Sequence, residues 1–462
     1  MTGARRYSVP VAVEIVIIGG GPAGNTAATV AATLGAHVTL VEREVVGGAA
    51  HLWDCIPSKA MIATGGELSE LQRSRSMGLI ASGTLELDAL RERLASIEAR
   101  LQGSVSSMLR DQGVRMLHGT ARLKGPHEVV VETADGLEEV RGDMILLATG
   151  SRPRVPDGVI VDGDRILTTR QAYPPPEIPE HLAIIGSGVT GVEFTHMFSA
   201  LGSKVTLVVS RQQVLPQKDP EVAAVLEAEF LSRGVKLLKG ARAESIVRQG
   251  NTVRVLCDDG RVVDASHAVL TVGAIPNSDG LGLEDAGVEV GDGGYIPINH
   301  HCQSNVAHIY AAGDLSGKLP LSSVAAMQGR KIAEHMMGLH TLSHRHLDYE
   351  KAASAIFTEP EIADVGLPEA EAFAIGRKIR VTKVPFSANA KALIQGDPRG
   401  FVKIISDPAT GVVLGGSIVG QHAAELISVI ALAVTCNLKT SDIVDSLLVH
   451  PSMAESITDA AT

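Results

Sequence analysis

VEIVIIGGGPAGNTAATVAATLGAHVTLVER, residues 13–43, is the stretch on which the fold turns. Val13 to Ile18 form a short, β-branched apolar run, and an alanine-rich stretch of helical character leads from Pro22 to a second apolar run that ends at Glu42. Between the first run and the helix, Gly19, Gly21 and Gly24 make G-x-G-x-x-G. Such glycines let the backbone turn tightly and approach a pyrophosphate at the helix N-terminus, where N–H groups and the helix dipole favour negative charge. Glu42 stands 18 residues past Gly24, placed to accept a hydrogen bond from a ribose hydroxyl, with Arg43 beside it. The pattern predicts a β-α-β unit with a dinucleotide at its turn.

A second unit follows in HLAIIGSGVTGVEFTHMFSALGSKVTLVVSRQ, residues 181–212, where Gly186, Gly188 and Gly191 again lie between a strand and a helix. The next strand is predicted over Val205 to Val209. Two dinucleotides are therefore expected on one chain. LLATGSRPRVP, residues 146–156, looks like a strand running into a glycine and proline crossover between domains. After the second unit the chain offers Ser210 and Arg211 where a strand-end acid would hydrogen-bond an NAD ribose, which favours NADPH with NADH possible. Gly191 pulls the other way, because NADP sites often carry alanine there.

The 462 residues and 48.3 kDa exceed one hydrophobic core and predict several domains. A net charge of −11 argues against nucleic acid or an anionic membrane surface as partner. No apolar run reaches the roughly 18 residues that a membrane span needs. MTGARRYSVP lacks the apolar stretch of a signal peptide, and the four cysteines at 55, 257, 302 and 436 lack metal-like spacing, so a reducing, cytoplasmic setting is expected.

Six further motifs occur in a fixed order: GGAAHLWDCIPSK (47–59), Ala148-Thr149-Gly150, VGAIPN (272–277), IYAAGD (309–314), FTEPEIADVGL (357–367) and HPSMAE (450–455). In this the chain resembles the flavoprotein pyridine nucleotide-disulfide reductases, dihydrolipoamide dehydrogenase and its relatives, over nearly its whole length. The resemblance implies an α/β protein with two Rossmann-like dinucleotide-binding domains and an α+β C-terminal dimerisation domain. It places FAD on residues 1–150 with 276–346, NAD(P) on 151–275 and a homodimer interface on 347–462. FAD would be held by the first fingerprint with Gly48, Thr149, Gly150, Gly313 and Asp314, the last on its ribityl chain. Gly273 would line the cofactor site from the VGAIPN segment.

In the family, hydride passes from the nicotinamide to the flavin, which then reduces a protein disulfide. That exchange needs two sulfurs. Cys55 is at the flavin-proximal position, but Ala50 stands where the second cysteine belongs. GGAA-x-L-x-D-C resembles a narrower group, bacterial lipoamide dehydrogenase-like NAD(P)H quinone reductases that lack the exchange cysteine. The expected enzyme is thus an NAD(P)H dehydrogenase passing electrons from FAD directly to a quinone. A dihydrolipoamide dehydrogenase-like disulfide reductase, a transhydrogenase, a thiol peroxidase using Cys55 and a noncatalytic flavoprotein remain open alternatives.

By the same resemblance Lys59 lies near the flavin and pairs with Glu193, while His450, oriented by Glu455, reaches the other subunit's site as acid and base. Unrelated surface groups and retained interface packing are the plainer readings of these pairs. His51, four residues before Cys55, would share its face in an α-helix, so a protonated imidazole there would favour the thiolate. FTEPEIADVGL, RGFVKII (399–405) and VVLGGSIVG (412–420) alternate as strands before a helical Glu425–Cys436, predicting an antiparallel sheet with helices on one face.

Overall fold

The structure, a computed structural model, describes residues 12–339 and 347–462, so the reading of MTGARRYSVP lies outside the described residues. The elements needed below are β1 (Glu14–Ile18), α1 (Pro22–Thr33), β2 (His37–Glu42), α2 (Ile56–Arg73), α3 (Leu87–Asp111), β3 (Arg115–His118), β4 (Met144–Leu147), β5 (Ile166–Thr168), β6 (His181–Ile185), α4 (Val189–Ala200), β7 (Lys204–Val209) and α5 (Pro220–Ser232). They continue with β8 (Lys236–Lys239), β9 (His267–Leu270), β10 (Ile309–Ala311), α6 (Ser322–Met336), β11 (Ser354–Ile356), β12 (Glu361–Gly366), β13 (Arg380–Pro385), β14 (Phe401–Ser406), β15 (Val413–Gly420) and α7 (Ala423–Cys436).

Among the described residues the chain divides into two compact units. The first takes in residues 12–56, 95–152 and 275–339 with Leu347. Its centre is a parallel five-stranded sheet in the order β10-β4-β1-β2-β3. Successive side chains of a strand point to opposite faces. On β1, accordingly, Ile15 and Ile17 pack with α1 and α6, whereas Val16 and Ile18 pack against Leu123, Val129 and Val131 of the antiparallel sheet over residues 120–141. A strand buried on both faces reads as an unbroken apolar run, which is why this strand was visible in the sequence.

The second unit comprises residues 57–94, 153–274 and 348–462. It holds another parallel sheet, β8-β7-β6-β9-β5, with α4 following β6 as α1 follows β1. A further sheet of this unit is antiparallel, β11-β12-β15-β14-β13, and α7 buries Ile427, Ile430 and Val434 with Ile404 and Ile418 of that sheet. The predicted sheet with a helix on one face is present, with the helix beginning at Ala423 rather than Glu425. Among the described residues no helix is long and apolar enough to cross a membrane.

Candidate functional site

The first fingerprint is a turn built by close backbone approach. Gly19 has φ +106°, and a Cβ there would lie 2.3 Å from the Ala148 carbonyl oxygen. A Cβ on Gly24 would lie 1.9 Å from the Gly19 oxygen. Gly21 differs: its Cβ would meet nothing within 4 Å. That opening lies at the start of α1, which has no side-chain cap and no acid in its first turn. Its first N–H groups thus have no intrahelical acceptor, a cradle fit for a pyrophosphate. The turn bearing Gly47 and Gly48 closes one side, since the Gly47 N–H donates to the Gly20 carbonyl (2.8 Å) and a Gly48 Cβ would come within 2.9 Å of Gly21 Cα.

Glu42 is fixed by two backbone donors, the Gly20 N–H to Oε2 and the Glu44 N–H to Oε1, each at 2.7 Å. Each carboxylate oxygen keeps acceptor capacity for a ribose hydroxyl. Arg43 is exposed and pairs with Glu44. Beside Glu42 opens a recess of about 180 Å³ lined by Leu40, Val46, Gln102, Met116 and His118 among others. Its α3 and β3 residues were not found from the sequence, because no local motif marks them.

The crossover motifs meet in the first unit. Thr149 Oγ1 donates to the Asn277 carbonyl (2.8 Å), and Asn277 Nδ2 donates back to the Thr149 carbonyl (2.9 Å). The Asn277 N–H donates to the Gly150 carbonyl (3.0 Å). Asp314 accepts a hydrogen bond from Ser151 Oγ (2.6 Å), and the Gly313 N–H donates to the buried Gln328 (2.7 Å). Asp314 is thereby joined to the crossover. Gly273, in the second unit, is exposed and accepts from the Arg154 N–H (2.9 Å).

Between Ala50 and Asp54 the chain makes one wide helical turn, in which the Cys55 N–H donates to the Ala50 carbonyl five residues back (3.2 Å). Such turns are rare and occur often at functional sites. Cys55 Sγ lies 3.3 Å from Ser322 Oγ in the first turn of α6. The expectation for His51 fails here. A Cβ on Gly47 would lie 1.9 Å from His51 Nδ1, so the ring is folded back on Gly47. Burial lowers its pKa, against weaker effects of the Val46 carbonyl and Glu98. A ring held neutral supplies no charge to a thiolate.

In the second unit Lys59 Nζ donates to Glu193 Oε2 (2.9 Å), and Glu193 is buried on α4. The second fingerprint repeats the first: Gly186 has φ +114°, a Gly191 Cβ would fall 1.9 Å from the Gly186 oxygen, and a Gly188 Cβ would meet nothing within 4 Å. No side chain fits at residue 191 on this backbone, so close packing on the Gly186 carbonyl is a sufficient reason for its glycine. Ser210 and Arg211 are exposed just beyond β7, their backbone fixed where the Gly240 N–H donates to the Arg211 carbonyl (3.0 Å). At the C-terminus His450 Nδ1 and Glu455 Oε1 are 2.6 Å apart, Glu455 Oε2 accepts from the Ser452 N–H (2.8 Å), and the His450 ring is exposed. The hydrogen bonds from His450 and Ser452 hold the Glu455 carboxyl below its ordinary pKa.

Residues 13–329 match the pyridine nucleotide-disulphide oxidoreductase family, and residues 352–461 match that family's dimerisation domain. The chain belongs to this family. As a pyridine nucleotide-disulphide oxidoreductase it is a flavin-dependent enzyme that binds FAD and NAD(P)H. The oxidoreductase is similar to an NAD(P)H dehydrogenase (quinone) of Mycobacterium tuberculosis, 41% identical over 97% of this chain and 93% of the relative. It is 32% identical to the dihydrolipoyl dehydrogenase of Bacillus subtilis over 97% of each chain. The crystal structure of LpdA from M. tuberculosis superposes with a TM-score of 0.92 at 41% identity, covering 97% of this chain and 99% of that one. The Cu(II) complex of RclA, an HOCl-induced flavoprotein disulfide reductase from Escherichia coli, gives a TM-score of 0.88 at 26% identity over 97% and 99%.

Proposed function

We propose that this oxidoreductase is a cytoplasmic, homodimeric NAD(P)H:quinone reductase that works without a redox dithiol. The observation that carries the reading is Ala50: its carbonyl accepts from the Cys55 N–H across the wide turn, its side chain has no sulfur to offer, and none of the four cysteines is in a disulfide. Disulfide exchange requires a second thiol to resolve the mixed disulfide, and Cys257 and Cys302 are each buried within a hydrophobic cluster. The similarity to a quinone dehydrogenase at 41% identity supports the same acceptor class.

The division of labour follows the sequence reading. Residues 1–150 with 276–346 hold FAD, 151–275 hold NAD(P)H, and 347–462 form the dimer interface. Gly19, Gly21, Gly24 and Gly48 admit the FAD pyrophosphate, Glu42 binds its ribose, and Thr149, Gly150, Gly313 and Asp314 hold the crossover against its ribityl chain. Gly186, Gly188 and Gly191 admit the nicotinamide dinucleotide, with Ser210 and Arg211 on a 2′-phosphate. Bound FAD supplies the two-electron relay between nicotinamide and acceptor. Lys59, held by Glu193, offers fixed positive charge to the reduced cofactor. With Nδ1 donating to Glu455, His450 presents Nε2 as the ring nitrogen that would take up a solvent proton and pass it to a quinone oxygen in the partner subunit's site.

An acceptor panel on the purified yellow protein tests this. Menadione turnover far above lipoamide, peroxide or nicotinamide-analogue turnover is the expected result, and Cys55→Ala should stay within about threefold of wild type, as for a side chain off the electron path. Lipoamide turnover matching menadione, or loss of quinone activity in folded, flavinated Cys55→Ala, would overturn the reading.

A further inference from the structure

The Lys59–Glu193 pair has a third member. Glu193 Oε1 accepts from the Phe357 N–H (3.0 Å), while Oε2 takes the Lys59 ammonium, so both carboxylate oxygens are committed. The Phe357 ring then covers the ammonium, with Lys59 Nζ 5.0 Å from the ring centroid. A lysine head on a flexible four-carbon stem is poorly fixed by one carboxylate, which sets a distance but leaves the stem free to swing. A ring face on a second side removes that freedom, and an ammonium within about 6 Å of an aromatic centroid is attracted to it.

The same short segment also holds the far end of α2. Glu359, two residues on from Phe357, ion-pairs with Arg73 in the last turn of α2 and with Arg233 and Arg399 at 3.1 Å each. Between these ties, a Cβ on Gly65 would sit 3.0 Å from Ala200 Cβ, which marks close packing of α2 on α4. The helix that carries Lys59 is therefore braced at both ends by residues 357–359.

We propose that Phe357 is a positioning residue whose ring fixes the Lys59 ammonium in one place while its N–H fixes the carboxylate that pairs with it. This rests on the reading of Lys59 as the positive charge that serves the reduced flavin. Phe357→Leu keeps the backbone N–H and the apolar bulk but removes the π face, and Phe357→Tyr restores it. The first measurement is competitive acetylation of Lys59 in the purified holoenzyme, quantified by mass spectrometry against the exposed Lys378. The second is stopped-flow reduction of the bound flavin by NADPH.

Phe357→Leu should raise Lys59 acetylation and slow flavin reduction, each by about two- to fivefold, the range of one cation–π contact at a partly exposed site. Phe357→Tyr should return both to wild type. Should Phe357→Leu melt well below wild type, Phe357→Met takes its place. Equal acetylation in all variants overturns the inference. Changed acetylation with unchanged flavin reduction also overturns it when Lys59→Met slows that reduction. If Lys59→Met leaves flavin reduction unchanged as well, the reading of Lys59 fails and the positioning role falls with it.

Discussion

Replacing Gly21 separates binding from folding. Its backbone, φ −66° and ψ −173°, is extended and open to any residue, and a Cβ there meets nothing within 4 Å. Gly21→Ala and Gly21→Asp should therefore fold, and the apoproteins should melt with wild type. The cost falls on the ligand, because the added methyl occupies space that the pyrophosphate needs to reach the first N–H groups of α1. Loss of one charge-assisted hydrogen bond is worth about 1.5–3 kcal/mol, so Gly21→Ala should weaken FAD by roughly ten- to a hundredfold. Asp adds like-charge repulsion of about 4 kcal/mol at 4 Å and an effective dielectric of about 20, and should be purified without flavin. Gly24→Ala is the contrasting variant: its Cβ would lie 1.9 Å from the Gly19 oxygen, so it should fail to fold rather than fold without flavin. Flavin stoichiometry from absorbance, FAD titration by fluorescence and thermal melts of apoprotein provide the readout. A fully flavinated Gly21→Asp protein would refute the reasoning, and so would a Gly21→Ala apoprotein that does not fold.

Arg211→Ala should raise the Kd of NADPH by about tenfold or more and leave NADH nearly unchanged, since only NADPH loses a charge-assisted contact; stopped-flow titration with both nucleotides checks it. His196 is buried on α4, and burial, with Arg233, Arg399 and Arg73 adding to it, pushes its imidazole from 6.5 down to about 3. The unfolded chain then binds the extra proton between those values, so stability is full above 6.5 and falls as pH drops, by roughly 2 kcal/mol on reaching about pH 5. Denaturant titrations across that range should show the slope, and His196→Gln should flatten it. Lys403 is buried among Asp219, Glu221 and Glu369 at 2.5–2.9 Å, contacts that raise its pKa against the effect of burial. Lys403→Met leaves Asp219 and Glu369 without this cation, while Glu221 keeps Lys383; it should cost about 1–3 kcal/mol near neutral pH, with part regained on acidification, and urea melts at two pH values decide.

Local patterns carried most of the fold. β1 and β6 were legible because strands buried on both faces form unbroken apolar runs, and the two glycine turns because each needs a backbone that only glycine supplies. Contacts between distant residues were not legible from local pattern, and Lys59–Glu193, 134 residues apart, came only from the family resemblance. Ser322 is 267 residues from Cys55 and Phe357 is 164 from Glu193, and no periodicity links such pairs. His51 was misplaced for a different reason: the four-residue spacing was read on an α-helix, whereas residues 50–54 make a wider turn and the ring folds back onto Gly47. Gly191 was read as a marker of nucleotide type, and its close approach to the Gly186 oxygen, a packing reason for the same glycine, was not visible in the sequence.

The wide turn at residues 50–54 also bears on how a second sulfur would be introduced. Its hydrogen bond from the Cys55 N–H to the Ala50 carbonyl brings together the two positions that a dithiol of this spacing would occupy. A disulfide asks for Cα atoms about 4.4–6.8 Å apart, a separation within one helical turn. One backbone hydrogen bond thus joins residue 50 to the only cysteine of this turn. A dithiol at this turn therefore asks for a single substitution, Ala50→Cys, made where the chain already bends widely enough to link the two positions.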